Sequence, residues 1–256
     1  MKFQKELDFA RSVAMHAGEL ALGYQRQGLK AESKMDLSPV TIADRECERM
    51  IAHRIEEAFP GDGILGEEGS SKASKNGRLW IVDPIDGTRD FVRGLPYWSV
   101  LIGFEANEEI EVGVSHMAAL NAMYSAAKGA GTWRNDQRIS VSQIDTPGQS
   151  LACVNGLVRI NEYPWSENLV EWLSQFWAVR SLGGCMDAMM LAEGRAELWL
   201  EAHAAPWDLA PLKVILEEAG ASFFNFNGGS SIRGGNCMAC VPALEGVARK
   251  LVGLPV

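Results

Sequence analysis

Residues 80–91 read WIVDPIDGTRDF, and both the fold and the chemistry of the chain turn on this stretch. Leu79, Trp80, Ile81 and Val82 are an apolar run that predicts a buried strand. Asp83-Pro84-Ile85-Asp86-Gly87-Thr88 predicts a tight turn leaving it. Two carboxylates this close in a turn repel each other unless a cation lies between them. Pro84 holds Asp83 extended at the strand end. Pro84 and Gly87 together permit a sharp turn that returns Asp86 toward Asp83, with the Ile85 carbonyl between them. Carboxylate and carbonyl oxygens are hard ligands that suit Mg²⁺ or Mn²⁺ and not zinc. Gly87 and Thr88 would open the following helix, whose free amides make an anion site suited to a phosphate. The competing reading is an ordinary turn with Asp86 as a helix cap.

The 256-residue chain is 47% hydrophobic, enough to bury a sizeable core in one large domain or two smaller ones. A formal charge of −9 disfavours non-specific binding to nucleic acid or anionic membrane. It leaves room for a phosphorylated substrate, because bound cations reverse a local field. Cys47, Cys153, Cys185, Cys237 and Cys240 are odd in number and scattered, which argues for a reducing compartment and against a disulfide framework. Cys237 and Cys240 form a lone CxxC in an apolar run and read as buried strand residues, since zinc would need further ligands at a suitable spacing. Charges recur through residues 1–25, and Phe3, Leu7, Ala10, Ala14, Ala17 and Ala21 follow helical spacing, so a helix is predicted there and not a signal peptide. No run is apolar for long enough to span a bilayer, and a soluble, cytoplasmic protein is expected.

Two or three helical segments open the chain, the second over 44–58 and stopped by Pro60-Gly61. Residues 30–44 and 66–78 predict loops. Apolar runs at 80–82, 99–104, 110–116 and 122–127 predict an antiparallel sheet, and Asn135-Asp136 the turn of a hairpin. Residues 143–150 are the expected boundary. Beyond it strands at 151–154, 176–180 and 196–201 alternate with helices at 161–175, 186–193 and 207–219, before strands at 221–226 and 238–241 and a last helix. The prediction is an α+β half over 1–145, holding the antiparallel sheet and most candidate ligands, and an α/β half over 146–256 with Asp208 and the substrate pocket.

Two distant segments strengthen the metal reading. Glu67 and Glu68 follow an apolar run in ILGEEGS, 64–70. Adjacent side chains on an extended segment point oppositely, so one of the two is expected as a direct ligand. Asp208 lies in the first turn of a helix striped by Leu209, Leu212 and Leu216, where stabilisation of the helix dipole would also explain an acid. The ordered set is Gly66-Glu67-Glu68, then residues 83–88, then Trp207-Asp208 before Glu218-Ala219-Gly220, with SPVTIAD at 38–44 upstream. It resembles the inositol monophosphatase family over nearly the whole chain.

The resemblance implies a layered αβαβα fold and a homodimeric, Mg²⁺-dependent, Li⁺-sensitive phosphomonoesterase acting on a small phosphate ester. It implies Glu67, Asp83 and the Ile85 carbonyl on one metal, and Asp83, Asp86 and Asp208 on a second. A third, weaker ion would sit near Glu67 through water, and Mn²⁺ could substitute. The Gly87 and Thr88 amides would hold the phosphate. Thr88, hydrogen-bonded to Asp44, would help Glu67 orient the attacking water, with Lys34 close to the phosphate and the third metal. The chemistry agrees, since divalent cations neutralise phosphoryl oxygens, activate water and stabilise a leaving alkoxide. His16, His53, His116 and His203 fit no triad; His203, near Asp208, is a candidate for the substrate pocket. A catalytically silent protein on this fold and an acidic ion-binding module are the readings from other classes. Calcium loops concentrate their ligands locally, whereas these acids are dispersed.

Phe91-Val92-Arg93-Gly94 resembles the histidinol-phosphate phosphatase branch. Residues 180–208 are expected to line the leaving-group pocket, with Glu201 where the family has an acid that contacts the leaving group. The histidinol-type pattern has an acid near Gly184; here Gly183-Gly184-Cys185 replaces it, and Asp187 either compensates or faces elsewhere. Histidinol phosphate is the expected substrate, with inositol monophosphate or a broader set of polyol phosphates as the alternative.

Overall fold

The structure, a computed structural model, describes residues 2–28, 32–33 and 39–255. Lys34 and Ser38 lie outside the described residues. A single helix, α1 (Gln4–Gln27), opens the chain and buries the stripe Leu7, Ala10, Val13, Ala14, Ala17, Gly18 and Ala21. The next, α2 (Ile42–Ala58), begins two residues before the expected start, because Asp44 is part of its cap. The Thr41 amide and hydroxyl donate to Asp44 Oδ2 at 2.8 and 2.6 Å, and the Ala43 amide donates to Thr41 Oγ1 at 3.1 Å.

A short ribbon, β1 (Glu32–Ser33) and β2 (Pro39–Val40), stands apart from the sheets. The first large sheet holds β3 (Gly63–Gly66), β4 (Ser71–Lys72), β5 (Arg78–Asp86), β6 (Ser99–Ala106), β7 (Glu109–Met117), β8 (Ala122–Ala127), β9 (Thr132–Arg134) and β10 (Gln137–Ile139). Their spatial order is β10-β9-β8-β7-β6-β5-β3-β4. The sheet is antiparallel as expected except where β3 runs parallel to β5. The segment read as a loop over 66–78 contains β4, which pairs back on β3. Asn135 adopts a positive φ of 52° in the turn between β9 and β10.

The second sheet holds β11 (Leu151–Asn155), β12 (Ala178–Arg180), β13 (Leu198–Glu201), β14 (Ser222–Phe224) and β15 (Cys237–Cys240), in the order β12-β11-β13-β15-β14. The remaining helices are α3 (Thr88–Val92), α4 (Leu169–Leu173), α5 (Gly184–Ala192), α6 (Pro206–Ala219) and α7 (Glu245–Leu251). Residues 161–175, expected as one helix, form 3₁₀ turns at Leu157–Glu162 and Pro164–Asn168 before α4. Pro164 has no amide to carry a helix through this point.

Side-chain alternation along β5 builds two cores. Trp80 and Val82 pack with Ile51 and Ile55 of α2 and with the buried stripe of α1. Ile81 points the other way, into a core shared with Leu209 and Leu212 of α6 and with the second sheet. Helices α5 and α6 lie between the sheets, α1 and α2 cover the first, and α4 and α7 cover the second, giving five layers αβαβα. All five cysteines are buried and unpaired, Cys237 and Cys240 on β15.

A pair of glycines seats α6. Gly103 and Gly113 are cross-strand partners on β6 and β7. A Cβ on Gly113 would stand 2.4 Å from the Pro211 carbonyl oxygen and 2.5 Å from Val214 Cγ1. Gly113→Ala is therefore expected to overpack this contact at a cost of about 3 kcal/mol. A drop in Tm of roughly 6–12 °C in a thermal melt would register it, and an unchanged melt would show that α6 shifts freely.

Candidate active site

The pairing of β5 with β6 becomes irregular where the two acids sit. Asp83 pairs with Leu101 and Asp86 with Ser99, so three steps on β5 oppose two on β6. The extra residue bulges at Pro84-Ile85, where proline has no amide to give the ladder. In a regular strand, residues three apart face opposite sides. The bulge returns Asp86 to the side of Asp83. The Ile85 amide donates to Asp83 Oδ1 at 2.9 Å and fixes the curl. Gly87 follows with φ 87°, and a Cβ there would stand 2.8 Å from the Tyr97 carbonyl oxygen, so a side chain has neither the conformation nor the space.

Asp208 reaches the same place from the first turn of α6. Its Oδ2 accepts the Ala205 amide at 2.7 Å, and Pro206 starts the helix. Carboxylate oxygens of Asp83, Asp86 and Asp208 come within 4.8 Å of one another. Asp83 is buried and the other two are half-buried. Asp86 Oδ2 accepts the Cys185 amide in the first turn of α5 at 3.2 Å. Glu67 leaves β3 beside them, its amide donating to the Val82 carbonyl at 3.1 Å.

Burial pushes the Asp83 carboxyl well above the usual range, and the charges of Glu67, Asp86 and Asp208 add to the rise. Burial lifts Asp86 to about 6 despite its hydrogen bonds from Cys185. Burial, then the Asp86 charge, lifts Asp208 to about 8. The Glu67 charge adds to the rise at all three acids. Three carboxylates on rigid elements, with the Ile85 carbonyl in the same turn, form a hard donor set that a divalent cation fits.

Thr88 and Asp44 meet at the edge of this cluster. The Thr88 hydroxyl lies 3.3 Å from Asp44 Oδ1 and 3.2 Å from the Ile85 carbonyl, and its single proton serves one acceptor at a time. Asp44 is fully buried, and burial raises its carboxyl.

Glu201 ends β13 as a buried acid. Its Oε1 faces the His203 amide at 3.4 Å. Added Cβ atoms on Gly156 and Gly184 would stand 2.9 and 3.3 Å from its carboxylate oxygens, so two glycines leave it room. Burial raises it well above the usual range, with Asp86, Asp208 and Asp187 contributing. His203 is exposed in the loop that leads to α6. Asp187, a candidate for the leaving-group pocket, lies on α5. It is fully buried, and its carboxylate accepts Asn155 Nδ2 at 2.5 Å and the Leu182 amide at 3.1 Å. It clamps α5 to β11. The sequence reading missed Gly156, although Asn155-Gly156 is a turn signal, and the Cys185 amide, which has no side-chain signature. A concavity of about 690 Å³ between α1 and the β7–β8 connection, near Asp8, Arg11 and His116, lies apart from this acid cluster.

No helix among the described residues is long and apolar enough to cross a membrane. The sequence model of the inositol monophosphatase family matches residues 3–252. A histidinol-phosphatase of Chlorobaculum parvum is 36% identical over 96% of this chain and 95% of its own. Inositol monophosphatase 1 of Homo sapiens is 31% identical over 89% of this chain and 86% of its own. A solved IMPase of Thermotoga maritima superposes with a TM-score of 0.88 at 30% identity, covering 98% of this chain and 97% of that one. Alike in sequence and in layered architecture almost from end to end, the chain belongs to the inositol monophosphatase family of phosphoric monoester hydrolases.

Proposed function

We propose that this protein is a Mg²⁺-dependent, Li⁺-sensitive phosphomonoesterase whose substrate is histidinol phosphate, working as a cytoplasmic homodimer. Glu201 carries the choice of substrate. It is a buried carboxylate between two glycines, close enough to Asp86 and Asp208 to feel their charge. A buried carboxylate is costly unless a cation or strong donors meet it. An ammonium on the leaving group satisfies it by a charge-assisted bond, worth about 1.5–3 kcal/mol against about 1 for a neutral one. Histidinol phosphate carries an amine that is cationic at neutral pH; inositol phosphate offers hydroxyls. The relatives named histidinol-phosphatase, at 36% and 33% identity, support this reading. Five unpaired cysteines support the reducing compartment. Inositol monophosphate is the second reading, favoured by the 31% identical human relative.

Asp83, Asp86, Asp208, Glu67 and the Ile85 carbonyl are the residues that would hold two or three Mg²⁺ ions. Bound there, the ions supply neutralisation of the phosphoryl oxygens and activation of water. The Gly87 and Thr88 amides receive phosphate oxygens at the start of α3. Thr88 donates its proton to Asp44, which leaves its oxygen free to accept from the attacking water. Glu67 orients that water from the other side. The Cys185 amide holds Asp86 in place, and Glu201 orients the leaving group.

The test compares kcat/KM on histidinol phosphate, inositol monophosphate and a minimal aryl phosphate. Histidinol phosphate should rank first; a clear preference for inositol monophosphate would move the assignment to the second reading. Glu201→Gln should lose close to tenfold more kcat/KM on histidinol phosphate than on the polyol ester, about 1.4 kcal/mol of selective stabilisation, and least on the aryl ester. Equal losses on all three would make Glu201 a residue of the fold or the metal shell.

A further inference from the structure

Helix α2 carries a second buried acid one turn beyond Asp44. Glu48 is 2% exposed. Its Oε2 accepts the Glu68 amide at 2.7 Å and its Oε1 accepts the Ser70 amide at 2.8 Å. The turn it grips is closed by the Gly66 amide donating to the Ser70 carbonyl at 2.8 Å. The backbone of this turn lies directly over the carboxylate, since a Cβ on Gly66 would stand 2.5 Å from it. Glu67 is thus anchored on both sides. Its own amide is tied to the Val82 carbonyl of β5, and the next amide is tied to Glu48 of α2.

Asp44 and Glu48 are four residues apart on one helix, about 6 Å along its axis and on one face. Two like charges at this spacing disfavour a helix, and burying a carboxylate costs more than burying an apolar side chain. Each acid instead grips a different part of the site: Asp44 the Thr88 hydroxyl, Glu48 the turn that bears Glu67. We infer that Glu48 is a positioning residue for the metal site, which fixes the turn after β3 so that α2 sets the spacing between Glu67 and Thr88. The inference rests on the reading of Glu67 as a metal ligand. A carboxylate is needed because both oxygens must accept. Glutamine would turn an NH₂ group against one of the two amides.

The test uses purified full-length Glu48→Gln and Glu48→Asp variants, with Glu67→Gln as the reference. Mn²⁺ alone is titrated by calorimetry, and hydrogen exchange is followed over residues 66–70 and over α2. Glu48→Gln should bind Mn²⁺ about 10–100-fold more weakly. Exchange at the Glu68 and Ser70 amides should accelerate while the α2 amides keep their protection. Glu48→Asp, one carbon shorter, should shift both readouts in the same direction by less. Wild-type Mn²⁺ affinity in folded Glu48→Gln, beside a weakened Glu67→Gln, would overturn the inference and leave the ligand reading standing. Wild-type affinity in Glu67→Gln would overturn the ligand reading and the inference together. Unfolding of both Glu48 variants would also overturn it, because a positioning residue is dispensable to the fold.

Discussion

Asp83→Asn is expected to lower kcat by about a thousandfold or more, roughly 4 kcal/mol in the barrier, while leaving the fold intact. Asp83 is buried at the centre of the cluster, and every neighbouring acid raises its carboxyl. On the proposed function it would also serve both principal metal positions, so its loss would weaken water activation and leaving-group stabilisation together. The amide keeps the shape of the side chain and can still accept the Ile85 amide through its oxygen. Removing one negative charge from a crowded set also relieves repulsion in the metal-free chain. Steady-state kinetics at saturating Mg²⁺, beside a thermal melt, check both halves of this statement. A near-normal kcat would contradict the central role of Asp83. A collapsed melt would make it a structural residue.

Chelation is expected to abolish turnover and to make stability fall with rising pH. Unfolded aspartates titrate near 3.8, whereas in the folded chain Asp86 is lifted to about 6 and Asp208 to about 8. Between these values the folded state binds more protons than the unfolded one, so stability is greatest at the acid end and is lost as pH rises through about 8. The Tm of the metal-free protein should therefore be lower at pH 8 than at pH 5. Mg²⁺ should restore more at pH 8, because metal and protons compete for the same oxygens. Turnover in excess chelator, or a metal-free Tm that climbs from pH 5 to pH 8, would count against the cation site.

What was legible in the sequence follows from which groups carry a side-chain signature. Asp83, Pro84, Asp86 and Gly87 announce a curled turn with hard ligands, because proline and glycine restrict or release the backbone in known ways. Asp208 was legible through its place at a helix start. The bulge was not, because it exists only in the pairing of β5 with β6. Glu48 was not, because its partners are backbone amides of a turn far along the chain. Which way Asp187 faces was not legible, because nearness to Gly184 in sequence does not set the direction of a side chain on α5, where it meets Asn155. The span 161–175 was misread because Trp165, Leu169 and Trp172 keep helical spacing after Pro164, although the chain winds as a 3₁₀ turn as far as Asn168.

The five sealed thiols give the protein its own record of breathing. Burial pushes the Cys47 and Cys240 thiols up to about 12 and raises Cys153, Cys185 and Cys237 as well. Thiolate is the form that reacts with an alkylating reagent, so the closed molecule should stay unmodified. A reagent added under native conditions then marks only regions that open. Cys47 faces Ala17 of α1 and would record loosening of the outer helical layer. Cys153, Cys237 and Cys240 would record fraying of the second sheet, and Cys185 the detachment of α5 from the acids. The order in which mass increments appear at these positions would show which layer of the molecule gives way first.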